Sequence, residues 1–221
     1  CLVPNDTGLN AELDAGCRDI AVFAAVSETC SQRNTGCSIA ESMARLRAVA
    51  RRALDSDVRV RGYLSCVSGC PYEGPVAAGI VADMALQLID MGCHEVSLGD
   101  TTGIGTPEQI RRLIDAVSVR VPVHLLAGHF HDTWGMGVAN VYAALQSGVA
   151  VFDASVGGLG GCPFAPGASG NVATEDVVYM LEGAGVDTGV DLGKLVGAAR
   201  WVSARLDRQV ASRVARAYRT E

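Results

Sequence analysis

Asp19-Ile20-Ala21-Val22-Phe23-Ala24-Ala25 decides the architecture. After one aspartate, six apolar residues follow without the alternation of a strand that is half in water. That is the pattern of a strand buried on both faces. On its amino-terminal side, Leu2-Val3-Pro4-Asn5 reads as the tail of an earlier strand. Asp6 then caps a short helix through Leu9, Leu13 and Ala15, stopped by Gly16. On the other side, residues 27–36 are polar and read as a long loop. Ser38 and Glu41 form a capping box, and Ile39, Met43, Leu46, Val49 and Leu54 recur at helical spacing until Asp55-Ser56-Asp57.

The same unit returns down the chain. Residues 58–65 form a strand, a loop passes Pro71 and Gly74, and residues 75–91 form a helix. Residues 94–98 give the next strand, ending in Gly99-Asp100-Thr101-Thr102. Thr106 caps a helix that has Pro107 at its first position and Gln109 as box partner. Residues 121–129 and 149–156 are further strands around a helix over 134–146. Asn171 leads into a helix reaching Leu181, and residues 191–218 are helical, with Leu192, Leu195, Val196, Trp201, Val202 and Leu206 as their apolar stripe.

Strand-helix alternation with short loops predicts a parallel sheet joined by right-handed crossovers, with the chemistry at the carboxyl ends of its strands. No early strand is followed by a dinucleotide-type glycine motif, and no Gly-Lys-Ser/Thr marks a phosphate loop, so a barrel is favoured over a doubly wound sheet. The expectation is an α/β fold of the TIM (β/α)8 barrel type with about six of eight strand-helix units present. A partial barrel domain spans 1–190 and a C-terminal helical extension spans 191–221. The broken first strand places the missing units on the amino-terminal side.

Composition narrows the function classes. The 221 residues are 49% hydrophobic, which supplies a sizeable core and argues against disorder. A net charge of -6 without a basic patch excludes nucleic acid as an expected partner, and no apolar run reaches membrane-spanning length. A chain this long needs no disulfide framework, so its 8 cysteines are expected to be reduced. Cys66 and Cys70 do not stand at zinc-finger spacing.

The chemistry concentrates in residues 155–171, where six glycines surround Cys162 without one charged residue. Such a stretch brings backbone close to a ligand. Cys162 can serve there as proton donor or nucleophile. His129 and His131 stand two apart on a strand, so both side chains point to one side of it. They can hold a first-row divalent ion together with a carboxylate or amide oxygen, or they can be hydrogen-bonded in the wall. Asp132, facing the other way, caps the next helix or supports a ligand. Asp100 ends an apolar strand, where its carboxylate needs a metal, a substrate, a donor or a loop to cap. Asn171 offers an amide oxygen to a metal or serves as a helix N-cap.

Ser155-Val156-Gly157-Gly158-Leu159-Gly160-Gly161-Cys162-Pro163-Phe164 closely resembles the active-site signature of the 3-hydroxy-3-methylglutaryl-CoA lyase family. The resemblance covers almost the whole chain. It continues through Arg61-Gly62-Tyr63-Leu64-Ser65-Cys66, Gly69-Cys70-Pro71-Tyr72-Glu73-Gly74, Ser97-Leu98-Gly99-Asp100-Thr101, His129-Phe130-His131-Asp132-Thr133 and Ala173-Thr174-Glu175-Asp176. It implies a metal-dependent TIM barrel that cleaves 3-hydroxy-3-methylglutaryl-CoA to acetyl-CoA and acetoacetate, in leucine degradation and ketone-body formation. Carried over by position, Cys162, His129 and Asp100 are catalytic. His129, His131 and Asn171 hold Mg²⁺ or Mn²⁺. Tyr63, Ser97 and Gly161 line the substrate pocket, and Glu175 supports the site from behind. The resemblance also implies an acyl-CoA partner and a homodimer with the terminal helices as candidate interface. The location would be the cytoplasm in a bacterium or the mitochondrial matrix in a eukaryote.

The family carries an Arg-Asp pair on its first strand and a glutamate on its second, and neither has a counterpart here. The chain is therefore expected to be the last six units of such a lyase. Two alternatives stand beside this reading. One is a related barrel lyase or aldolase acting on another acyl-CoA or keto acid, and the other is a non-catalytic truncated homologue. A thiol-based redox protein is a weak third, because Cys162 has no partner cysteine at short range.

Overall fold

A computed structural model describes residues 1–161 and 170–219. Five strands form one parallel sheet in sequential order: β1 (Asp19–Ala25), β2 (Arg59–Ser65), β3 (Val96–Asp100), β4 (Leu126–Phe130) and β5 (Val151–Asp153). The tail of the expected first strand is reduced to a single parallel bridge between Leu2 and Ala21. The crossovers carry α2 (Glu28–Thr35), α3 (Ile39–Leu54), α4 (Ala78–Asp90), α5 (Pro107–Ser118) and α6 (Gly137–Gln146). α1 (Asp6–Asp14) precedes the sheet, and α7 (Thr174–Gly183), α8 (Leu192–Arg205) and α9 (Arg213–Ala217) follow it. No helix among the described residues is long and apolar enough to cross a membrane.

Register sorts the strand residues onto two faces. One row, Val22, Gly62, Val96 and Leu126, and the next, Ala24, Leu64, Leu98, Gly128 and Phe152, face the helices. The branched side chains of these rows on β1 to β4 are buried, which is why the strands read as continuous apolar runs. The opposite rows are Phe23, Tyr63, Ser97, Ala127 and Val151, then Ala25, Ser65, Gly99, His129 and Asp153. This inner face carries the polar groups. Gly62 shows how tightly the layers meet, because a Cβ there would lie 2.9 Å from Leu88 Cδ1 and 3.3 Å from Leu88 Cβ of α4. Leu88 is fully buried, a contribution of about 1.5–3 kcal/mol for a side chain of this size.

Helix ends follow the expected chemistry at most positions. The Ser38–Glu41 box is complete at α3, and Thr106 N donates to Gln109 Oε1 at 2.9 Å at α5. Asn5, not Asp6, caps α1, accepting from Gly8 N at 3.0 Å. The expected loop over 27–36 is instead helical. Ser27 caps α2, and Gly36 ends it with φ of 69°. The helix over 191–218 is divided into α8 and α9, with Asp207 left-handed between them at φ 47°.

α8 and α9 share a small core of Val196, Ala199 and Ala215, against which Val156, Leu192, Val210 and Tyr218 pack. The buried Asp176 of α7 ties α9 down by accepting from Ser212 Oγ at 2.6 Å and from Val214 N at 2.9 Å. The seven described cysteines are free thiols.

Candidate active site

The inner face converges on Asp153. Its Oδ1 accepts from Arg61 Nη1 at 2.7 Å. Its Oδ2 accepts from Ser97 Oγ at 2.8 Å and stands 3.3 Å from His129 Nδ1. Arg61 Nε also donates to Glu95 Oε1 at 2.6 Å. Burial alone would push the Asp153 carboxyl up. Hydrogen bonds from His129, Arg61 and Ser97 outweigh it and bring the pKa down to about 2, so the group is a fixed anion. Tyr63 lies against Arg61, and its ring meets that of His129 edge-on at 5.9 Å. Burial and the Asp153 charge push the Tyr63 phenol up to about 12. Tyr63, Ser97 and His129 are thus brought into one cluster.

His131 lies just past β4, its ring 5.2 Å from that of His129. It is buried, with Nδ1 3.0 Å from the backbone oxygen of Asp100. Burial, and then the His129 ring, hold His131 below the ordinary histidine range, which favours the neutral imidazole that metals bind. A backbone bridge joins His131 to Asn171. Asn171 is not a helix cap, since α7 begins at Thr174 behind Ala173. Its Nδ2 donates to Leu159 O at 3.0 Å, while its Oδ1 is buried with no hydrogen-bond partner among the described residues.

The three side chains suit a first-row divalent ion. Each imidazole has Nδ1 engaged by an oxygen, a carboxylate in one case and a carbonyl in the other. That arrangement leaves Nε2 as the ligand atom and fixes the ring's direction. The orphaned Asn171 Oδ1 offers an amide oxygen beside them. A buried polar oxygen without a partner is costly unless something binds it.

The glycine stretch is held at both stems. A Cβ on Gly160 would stand 2.7 Å from Asn171 Nδ2, and one on Gly170 would stand 2.5 Å from Gly158 O, so the backbones meet where no side chain fits. Buried Glu175 holds this turn from beneath, its two oxygens accepting from Gly157 N at 2.9 and 3.1 Å. Gly161 is exposed at the edge of the described residues, and Cys162 lies outside them. Asp100 is fully buried, its side chain on the helix-facing register of β3. Its Oδ2 accepts from Gly105 N at 2.9 Å, and Gly105 O accepts from Asn140 Nδ2 at 2.8 Å. The contact of Asp100 with the histidine pair runs through its carbonyl. Asp132 precedes α6 and its Oδ1 accepts from Gly137 N, the first N–H of that helix, at 2.8 Å, although the N-cap residue is Met136.

The family model HMGL-like matches residues 2–202. The chain belongs to the HMGL-like family. Among its relatives, the hydroxymethylglutaryl-CoA lyase of Pseudomonas mevalonii is 55% identical over 93% of this chain and 68% of its own. The 3-hydroxy-3-isohexenylglutaryl-CoA/hydroxy-methylglutaryl-CoA lyase of Pseudomonas aeruginosa is 55% identical over 98% of this chain and 72% of its own. A solved HMG-CoA lyase from Acinetobacter baumannii, in complex with coenzyme A and 3-methylmalate, superposes with a TM-score of 0.93 at 35% identity. It covers 99% of this chain and 72% of that one. The barrel architecture is the family's fold.

Asp153 and Glu95 went unnoticed as site residues in the sequence, and Arg61 figured only as part of a matching stretch. Asp153 left one signal, a carboxylate inside an otherwise apolar strand.

Proposed function

We propose that the chain is a hydroxymethylglutaryl-CoA lyase. Its reaction would be cleavage of 3-hydroxy-3-methylglutaryl-CoA to acetyl-CoA and acetoacetate by metal-assisted retro-Claisen chemistry. The observation that carries the reading is the grouping of His129, His131 and the unpartnered Asn171 Oδ1 at the carboxyl end of β4, beside the glycine stretch. Identity to hydroxymethylglutaryl-CoA lyases over most of the chain supports the same conclusion.

His129, His131 and Asn171 would hold Mg²⁺ or Mn²⁺, which when bound supplies positive charge to the substrate's hydroxyl and carboxylate oxygens. Cleavage of the C2–C3 bond requires loss of the tertiary hydroxyl proton and return of a proton to the thioester enolate. With Nδ1 on Asp153, His129 can accept the first proton only at Nε2 when that nitrogen is off the ion and His131 and Asn171 hold it, and the Asp153 carboxylate then stabilises the cation that results. Tyr63 and Ser97 line the same face. Asp100 acts by positioning, since its carbonyl fixes the His131 tautomer. Cys162, which lies outside the described residues, would return a proton to carbon.

The acyl pocket is the open part of this reading, because the Pseudomonas aeruginosa relative is named for a longer acyl chain as well. A homodimer through the terminal helices belongs to the proposal. Trp201 of α8 and Leu206 are exposed there.

The test is turnover by the purified chain of the methyl and isohexenyl substrates with Mn²⁺, with and without chelator. Product identity is read by mass. Chelator-sensitive acetyl-CoA release that disappears in Cys162→Ala supports the lyase. Metal binding without product would favour the non-catalytic homologue.

A further inference from the structure

At the opposite end of the sheet, three potential metal ligands converge that the lyase reading does not use. The Sγ atoms of Cys1 and Cys17 and a carboxylate oxygen of Glu12 all lie within 4.8 Å of one another. The cluster sits at the amino-terminal start of β1, whereas His129 and His131 sit at the carboxyl end of β4. Backbone bonds hold all three residues in place. Cys17 N donates to Glu12 O at 2.9 Å, and Ala21 N donates to Cys1 O, so the α1 end and the edge beside β1 are tied together. Cys17 Sγ is 3.1 Å from Asp19 O, which sets its rotamer.

We propose that Cys1, Cys17 and Glu12 form a binding site for a thiophilic divalent cation of the zinc class. Zinc at about 2.3 Å from each sulfur places two thiolates roughly 3.8 Å apart in a tetrahedron, and a carboxylate oxygen closes the third corner at similar range. At 4.8 Å or less, the observed separations stand within about 1 Å of that spread. Glu12 and Cys17 are only half-buried, so a water can take the fourth position. Binding releases one proton from each thiol and leaves the ion with two thiolates and one carboxylate. Softness separates the two sites, since thiolates select zinc and cadmium whereas imidazole with amide oxygen suits Mg²⁺ or Mn²⁺ less selectively.

The test uses the full chain, reduced and desalted without oxygen, in a Cys162→Ala background. Cadmium is titrated in, and thiolate-to-metal charge-transfer absorption is read. One equivalent should raise the band. Cys17→Ser should cut the band to about half or less and weaken binding by more than about tenfold, the effect of losing a direct ligand. Glu12→Gln should weaken binding while leaving the band height. Circular dichroism confirms that each variant is folded. A band unchanged by both Cys17→Ser and Cys1→Ser would overturn the proposal. So would a reduced chain that takes up no cadmium but forms a mapped Cys1–Cys17 disulfide in air, since the pair would then be a redox couple.

Discussion

Asp153 is the residue on which the inner face depends, because one carboxylate answers an arginine, a serine and a histidine at once. Asp153→Asn keeps the shape and removes the charge. It should lower kcat/KM by about 10- to 100-fold through loss of His129 orientation. Stability should fall by about 1–3 kcal/mol, since Glu95 is then the one carboxylate left to Arg61 among the described residues. Steady-state kinetics and urea unfolding separate the two effects. Glu175 gives a prediction in pH. Burial raises its carboxyl above the ordinary 4.5, even with the Gly157 N–H lowering it. The folded state therefore holds the proton more tightly than the unfolded chain. The stability this group contributes is present below about pH 4.5 and is lost as pH rises through the raised value. The advantage of wild type over Glu175→Gln should shrink as pH increases, measured by urea midpoints across a pH series. These two residues also mark how far single residues were legible. The histidine pair stood out by residue type and by its place on a strand, and Asn171 by closing the glycine stretch, where it read as a metal oxygen or a helix cap. Asp153 did not, because its partners come from β2, β3 and β4, and only inter-strand register brings them together.

At the scale of elements, apolar strands and capped helices were readable because their causes are local. Capping boxes and six-residue apolar runs need no tertiary partner to be recognised. α2 escaped because its polar sequence has no apolar stripe, although Ser27 and Gly36 stand where a cap and a left-handed terminator belong. The helix expected from Asn171 begins three residues later, since the chain first bridges back to His131 and then beside Ser155. Gly62 tests the packing between elements. Gly62→Ala inserts a methyl against Leu88 where backbone and side chain already meet, and should destabilise by about 1–3 kcal/mol. Thermal unfolding checks it, and Leu88→Ala combined with Gly62→Ala should recover part of the loss relative to the two single changes added.

Across the whole molecule, one arrangement divides the labour. Helices cover the apolar side of the sheet, the polar side faces inward, and the histidine pair lies at the carboxyl end of β4 beside Asn171. The C-terminal helices are bound into that plan through Asp176 and through the pair Arg213–Asp132 at 2.9 Å. Asp176→Ala strips the acceptor from Ser212 and Val214. It should release α9 to limited proteolysis at a cost of about 1–3 kcal/mol, with cleavage mapped by mass. The barrel class was legible from the order of elements. The division of 191–218 into two helices was not, because it depends on long-range contacts with α7.

The measurement that bears most directly on the central claim is acetoacetate formation as a function of Mn²⁺ for the wild-type chain and for Asn171→Ala. The wild type should form acetoacetate with a saturable, chelator-reversible dependence on the ion. Asn171→Ala, which deletes an oxygen beside the histidines that has no hydrogen-bond partner among the described residues, should need at least about tenfold more Mn²⁺ for half-maximal rate. An unchanged midpoint in Asn171→Ala, or no acetoacetate from the wild type at any concentration of the ion, would contradict the account.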